Sequence, residues 1–306
     1  MKPDTLAIRV GIADGQRRQV HARWARTEAE RLFIGRSPAE AVALTPMLFS
    51  LCARAQALAA RLACAAAAGA PALATAEERR ALEAEAVAET LRVLLLNWLP
   101  AFGEATDDAA IALLRGGAYQ ALAARHVFAV PAAKAARWTQ DQWQAFAMAG
   151  ATACARMLAT LARHAACEPL AGAVPDTGAL AREAAFAAPW LAAGRVHEAR
   201  LIARLRSLAR QLAGEPVLAV HAHHANGSGV AEVDCARGRL RHEVTLDAAG
   251  HIARYRITPP TLTHAAAGGA IEHALAHARD ERSARQAICL IDPCVPWTLA
   301  FGDNHA

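Results

Sequence analysis

Near the end of the chain, Asp292-Pro293-Cys294 runs into Val295-Pro296-Trp297. Each proline fixes its own φ and restricts the residue before it, which leaves the Cys294 thiol on a stiff corner. A thiol held in this way can act as a soft metal ligand or as a nucleophile. Cys52, Cys64, Cys154, Cys167, Cys235 and Cys289 bring the cysteines to seven, and no two form a Cys-x-x-Cys pair. That odd, unpaired set argues against a secreted disulfide framework and for a reducing cytoplasm. His221-Ala222-His223-His224 would set His221 and His223 on one face of a strand, a spacing suited to a transition metal, but thirteen scattered histidines make coincidence the simpler reading. Taken singly, the other candidates have plain readings. Cys52, Cys64, Cys154, Cys167 and Cys289 read as small buried apolar residues, Arg237 as an ion-pair partner of Asp234 or Glu243 on a strand edge, and Thr261, after two prolines, as a turn residue. Cys235, beside Arg237, is ambiguous between packing and an activated thiol.

The elements that must position these groups are mostly helical. Of 306 residues, 55% are hydrophobic and only 5% aromatic, a mixture rich in alanine that favours closely packed helices. The net charge of +5 comes from Arg scattered among Glu, which reads as solvated helix faces and not as a nucleic-acid surface. No apolar signal core opens the chain. The longest run free of both charged residues and histidine, 62–76, contains Gly69 and Pro71 and falls short of the about 20 apolar residues that span a bilayer, so a cytoplasmic protein with no membrane contact is expected.

Alternation predicts strands at 5–13 and 17–26 around an Asp14-Gly15 turn. Ser37-Pro38-Ala39-Glu40 is a capping sequence that opens a helix to about residue 67, interrupted near Pro46. A second helix runs from Thr75 to a stop at Pro100. Further helices fit 107–128, 136–166 and 178–213, separated by Pro131, Pro169, Gly172 and Pro175. Strands follow at 217–220, 230–233, 240–246 and 252–257, then a last helix at 269–279 and the Cys294 corner. The expected fold class is α+β: one domain over 1–306, mainly a helical bundle (37–213), with a β-rich N-terminal segment (1–36) and a C-terminal part (214–306) of strands, a helix and the corner.

Three ordered blocks carry a resemblance to a known family. The first is Gly35-Arg36-Ser37-Pro38-Ala39-Glu40-Ala41, running into Phe49-Ser50-Leu51-Cys52-Ala53-Arg54-Ala55-Gln56. The second is Asp234-Cys235-Ala236-Arg237-Gly238-Arg239-Leu240-Arg241-His242, with Gly250-His251-Ile252-Ala253-Arg254-Tyr255 and Pro260-Thr261 behind it. The third is Glu272-His273-Ala274-Leu275 and then Asp292-Pro293-Cys294. Together they resemble the large subunit of [NiFe]-hydrogenases over roughly the first 60 and last 80 residues. In that family two Cys-x-x-Cys pairs hold nickel and an iron carrying cyanide and carbon monoxide. Here Phe49 replaces the leading cysteine of the first pair and Gln56 the later histidine; Trp297 replaces the trailing cysteine of the second pair and Ala300 the following histidine. Half the thiolates are gone, so a four-thiolate nickel–iron centre cannot form. These losses resemble the HupK/HoxV-type hydrogenase assembly proteins.

That resemblance implies a non-catalytic maturation scaffold in which Cys52 and Cys294 hold a transient Fe(CN)2CO iron fragment, with no nickel. It implies cofactor-binding roles for Arg237, as countercharge to cyanide, and for Thr261, as a hydroxyl donor. Ala236 stands where the family has proline, and Glu30 stands where the large subunit moves protons, a task a scaffold does not need. Phe49 and Trp297 would fill the nickel side, and loss of the terminal histidine at Ala300 argues against C-terminal processing. The implied partners are hydrogenase maturation proteins and the large-subunit precursor. Two rivals stand beside this reading. One is a metal-free large-subunit mimic that acts as a chaperone for maturation partners. The other is an enzyme with a Cys294 nucleophile near His305, for which no triad-like arrangement is legible.

Overall fold

The computed structural model describes residues 4–12, 18–163 and 175–302. The Asp14-Gly15 turn, Cys167, Pro169, Gly172 and His305 lie outside the described residues. β1 (Leu6–Ile12) and β2 (Arg18–Trp24) pair antiparallel, with Leu6 opposite Trp24. Every second residue of β1 (Leu6, Ile8 and Val10) is buried, as a half-covered strand requires. No strand is expected after the Cys294 corner, yet β7 (Trp297–Phe301) forms there and pairs in parallel with β1, Leu6 facing Trp297. Its partner lies at the other end of the sequence, so no local turn announces it. The order of this sheet is β2-β1-β7, and helices Ala270–Leu275 and Glu281–Ile291 cover its apolar face.

α1 (Pro38–Leu48) begins on a capping box: Ser37 Oγ accepts from the Glu40 N–H at 3.3 Å, and Glu40 accepts from the Ser37 N–H at 2.9 Å. The helix survives Pro46 and breaks three residues later, at Phe49. A 3-10 turn, Ser50–Cys52, then leads into α2 (Ala53–Ala67), and the chain bends by 98°. α3 (Ala76–Val93) starts on a Thr75–Glu78 capping box and continues through a π turn into Leu99–Ala101. The run ends at Ala101, one residue past Pro100, which matches the stop expected there.

The expected helices 107–128, 136–166 and 178–213 are each divided into shorter ones. Alanine periodicity ran across breaks that glycine makes: Gly150 (φ 60°) and Gly194 (φ 69°) take left-handed conformations that end Gln140–Ala149 and Ala184–Ala192. Val196–Leu212 is the central helix of the largest core, burying Ala199, Leu201, Ile202, Leu205 and Leu208. Trp98, Trp143 and Trp190 are buried anchors in the same core, with Trp138 partly buried against it.

The second sheet is an antiparallel meander of β3 (Val220–Ala225), β4 (Ser228–Cys235), β5 (Gly238–Leu246) and β6 (Ile252–Thr258). The strand expected at 217–220 starts only at Val220, because the Glu83 carboxylate takes the Val217 and Leu218 N–H groups at 2.7 Å each. The histidine run is itself β3. The expected helix 269–279 is the shorter Ala270–Leu275, and a separate helix, Glu281–Ile291, is capped by Asp280 and leads to the corner. Helices plus two small sheets make an α+β fold. Among the described residues no single helix is long and apolar enough to cross a membrane; two bent pairs, including Pro38–Leu48 with Ser50–Ala67, reach the length and composition together.

Candidate metal centre

Cys52 occupies the N-cap position of α2, but its side chain makes no cap bond. Glu85 of α3 does that work, accepting the Arg54 N–H at 2.7 Å and the Ala55 N–H at 3.1 Å. The thiol is thereby left free to face a cleft. Cys294 reaches the same cleft from the other end of the chain: Asp292 ends Glu281–Ile291 in a left-handed conformation (φ 59°), and Pro293 turns the backbone out of the helix. A cavity of about 290 Å³ is lined by both thiols together with Phe49, Leu51, Gln56 and Pro259. A second cavity of about 370 Å³ adjoins it, sharing Leu51, Cys294 and Val295 and adding Arg92, Arg237, Cys289, Asp292 and Trp297.

Each thiol has one side-chain donor. Thr261, buried at the start of helix Pro260–Ala265, donates its hydroxyl to Cys294 Sγ at 3.2 Å and accepts the Cys294 N–H at 2.9 Å. Gln56 Nε2 donates to Cys52 Sγ at 3.7 Å. Burial raises the pKa of both thiols; the neighbouring sulfurs of Cys235 and Cys294 push Cys52 further, whereas Thr261 and Arg237 pull Cys294 part of the way back. Cys235 is also raised by burial, against the opposing pull of the Arg237 and Gly238 N–H groups and of the Arg237 charge.

Beside Cys294 lies a buried ion network. Arg237 pairs with Glu89 at 2.6 Å and with Asp292 at 3.2 Å; Arg204 takes the Asp292 carboxylate at 2.8 Å, and Arg92 takes Glu89 at 2.7 Å. Burial disfavours the Arg237 charge, but Asp292 and Glu89 outweigh it and hold the guanidinium firmly protonated. Within this network three guanidinium groups face two carboxylates, while the Glu85 carboxylate, on the Cys52 side, opposes that excess. Arg237 Nε is buried and is the atom that faces the Asp292 carboxylate at 3.2 Å, although its N–H is not aligned for a hydrogen bond.

Of the four residues singled out from the sequence, Cys52, Cys294 and Arg237 line the two adjoining cavities, and Thr261 is bonded to Cys294. The simple alternative for Arg237 does not hold: its partners are Glu89 and Asp292, not Asp234 or Glu243. Thr261 is more than a turn residue. Cys64 and Cys154 are buried in cores, as read, but Cys289 is only partly buried and lines the second cavity. Phe49 lines the cleft; Trp297 lines the second cavity, with Arg285 stacked on its ring. Glu30 is buried and locked by Arg26 at 2.6 Å. His221 and His223 are exposed on β3, and among the described residues no group of three or more His, Cys, Asp or Glu side chains is arranged to hold a metal. Glu89 went unrecognised because it sits in a charged helix with nothing local to mark it as buried. Asp292, though inside the motif, gave no hint of its Arg204 partner.

No protein-family model matches the sequence. The hydrogenase expression/formation protein HupK of Rhizobium leguminosarum bv. viciae is 32% identical over 337 residues, an alignment that covers 88% of this chain and 88% of that protein. HupK of Azotobacter vinelandii is also 32% identical, with 96% of this chain and 97% of that protein covered. This chain belongs to the HupK family of hydrogenase expression/formation proteins. A chain in the crystal structure of an NAD+-reducing [NiFe]-hydrogenase in the H2-reduced state shares its fold, with a TM-score of 0.53 across 92% of this chain and 94% of that one at 15% identity. The HupK membership and the hydrogenase fold together bear out the family resemblance drawn from the three sequence blocks.

Proposed function

We propose that this HupK-family chain is a non-catalytic carrier in [NiFe]-hydrogenase maturation, holding an Fe(CN)2CO unit between Cys52 and Cys294 and passing it to the hydrogenase large subunit. The observation that carries the reading is that two thiols from opposite ends of the sequence line one cleft, with the Arg237 guanidinium lining the cavity that adjoins it. Thiolates are soft donors suited to low-spin iron. The donor set fits this cargo: two sulfurs, one side-chain donor to each, and the Arg237 guanidinium lining the cavity next to Cys294 as countercharge to cyanide.

Loading is balanced as a proton release. The Fe(CN)2CO unit is neutral, since Fe²⁺ offsets two cyanides. Binding to two thiols forms two Fe–S bonds, sets two protons free and leaves a bound complex of charge −2. The positive excess of the Arg92–Glu89–Arg237–Asp292–Arg204 network offsets part of that charge. Two ligands in place of four imply weak retention, which suits a protein that must release what it holds.

The partners of such a carrier are hydrogenase maturation proteins and the large-subunit precursor, in the cytoplasm where those proteins assemble. Leu48 and Leu51 line the cleft and are exposed, giving an incoming protein an apolar rim. The test is infrared spectroscopy and iron analysis of protein purified without oxygen. Wild type is expected to show metal-bound cyanide and carbonyl bands, with both lost in Cys52→Ser and in Cys294→Ser. Freshly isolated wild type without bands would overturn the carrier.

One observation favours a second reading, a metal-free mimic of the large subunit that chaperones maturation partners: burial raises the pKa of both thiols and so favours their protonated, uncharged form. Under that reading the Cys52→Ser/Cys294→Ser double variant supports hydrogenase assembly as well as wild type does.

A further inference from the structure

Behind Cys52 runs a line of buried polar groups that the carrier reading leaves unused. Gln56 Oε1 lies 2.8 Å from His242 Nε2, and His242 Nδ1 lies 2.9 Å from the Tyr255 hydroxyl. His242 is fully buried and Gln56 nearly so. The polarity of this line follows from what each atom can do. An amide oxygen only accepts, so His242 Nε2 must carry the ring proton. Burial, with Arg26 nearby, keeps the imidazole neutral down to about pH 3, so it has a single N–H. Nδ1 is then bare and accepts the Tyr255 O–H. Thr45, whose own hydroxyl donates to the Ala41 carbonyl at 2.6 Å, packs beside Tyr255. With its oxygen pinned by His242, the Gln56 amide can present only its N–H to Cys52 Sγ.

We infer that Gln56 is a positioning residue, held by His242 and Tyr255 so that its amide N–H is always the group offered to the Cys52 sulfur. The three residues come from three elements: Gln56 from the first turns of α2, His242 from β5 and Tyr255 from β6. The two sulfurs of the cleft are then matched, each with one fixed donor, Thr261 for Cys294 and Gln56 for Cys52. A donor on a metal-bound thiolate withdraws electron density from the sulfur and so weakens its donation to the metal. The pair sets how tightly each sulfur grips. The effect on cargo rests on the carrier reading; the relay itself does not.

Two measurements separate the possibilities. In the metal-free protein, histidine-selective ¹⁵N labelling reports the His242 tautomer, its resonance being assigned by its loss in His242→Gln. A slowly exchanging proton on Nε2 is expected. A proton on Nδ1, or rapid exchange, would mean that the amide carbonyl faces Cys52 and would overturn the relay.

In anaerobically loaded protein, Gln56→Met keeps the side-chain length and removes the donor. Its carbonyl band is expected at lower wavenumber than in wild type, because a more electron-rich sulfur strengthens back-donation from iron, and Thr261→Val should move the band the same way. A role confined to packing would leave the band in place at full occupancy, and that result would overturn the positioning role. Should wild type carry no bands at all, the carrier reading fails while the tautomer measurement still decides the relay.

Discussion

Arg237 shows how much one side chain can hold in place. Its guanidinium joins Glu89 of α3 to Asp292 at the Cys294 corner, so removing it leaves Glu89 with Arg92 alone and Asp292 with Arg204 alone. Arg237→Leu is expected to cost about 3–5 kcal/mol of stability, the range for breaking a buried ion pair from one side. Urea denaturation measures it, and a loss under 1 kcal/mol would mean that Arg92 and Arg204 alone satisfy the carboxylates. At this scale the sequence was partly legible. Cys294 announces itself through two prolines, and Arg237, Cys52 and Thr261 gain meaning from the ordered blocks around them. Glu89 and Arg204 do not, since helical glutamates and arginines are ordinary surface residues until a fold buries them. Gln56 was visible only as a departure from the family's histidine; its tie to His242 spans 186 positions and leaves no trace in local pattern.

Among the elements, α2 matters most, because it carries Cys52 and Gln56 on its first turns. It lies directly on β4, and the contact depends on Gly229: a Cβ there would sit 2.0 Å from the Ala63 carbonyl oxygen and 2.2 Å from the Ala67 nitrogen. These are backbone atoms and cannot swing aside. Gly229→Ala should therefore cost at least the about 1–3 kcal/mol typical of overpacking, and should tilt α2 away from the meander. Chemical denaturation gives the first effect, and weaker protection of the α2 amides in hydrogen exchange gives the second.

The alanine bias that blurred helix boundaries in the sequence has its reason here: Ala59, Ala60 and Ala63 let a helix backbone approach a sheet this closely. The helix Glu281–Ile291 was legible in principle. Its buried positions Ala284, Ala287, Ile288 and Ile291 follow a helical repeat behind the Asp280 cap, but the charged start, with Glu281, Arg282 and Arg285, masks it.

For the molecule as a whole, buried ionisable groups make stability depend on pH. The pKa of His242 falls from 6.5 to about 3 on folding, mainly through burial, and that of His264 falls for the same first reason. Between those values the unfolded chain binds a proton that the folded chain does not. The His242 contribution is therefore complete above about pH 6.5 and declines as pH falls, by about 1.4 kcal/mol per pH unit. Glu89 and Asp176, held low by their guanidinium partners against the effect of burial, add losses of the same sign at more acid pH, while the raised Glu85 and Glu198 act in the opposite sense. Urea midpoints taken from pH 7 to 5 should fall, and the fall should be shallower in His242→Gln. A flat profile in wild type would contradict a neutral, buried imidazole.

The α+β class, the two-stranded start and the meander could be read in advance because alternation and turn residues are local signals. The parallel β1–β7 pair could not, since nothing near either strand names its mate.

That pairing has a consequence for when the two-thiol cleft can exist. β7 lies beside β1, and Cys294 just before it lies beside Cys52, only after all the chain between them has been made and packed. A half-synthesised polypeptide emerging from the ribosome exposes one sulfur without the other, and so has no pair of thiols facing one cleft. Under the carrier proposal, uptake would then report completed folding, and scarce metal would not be trapped in chains that never mature.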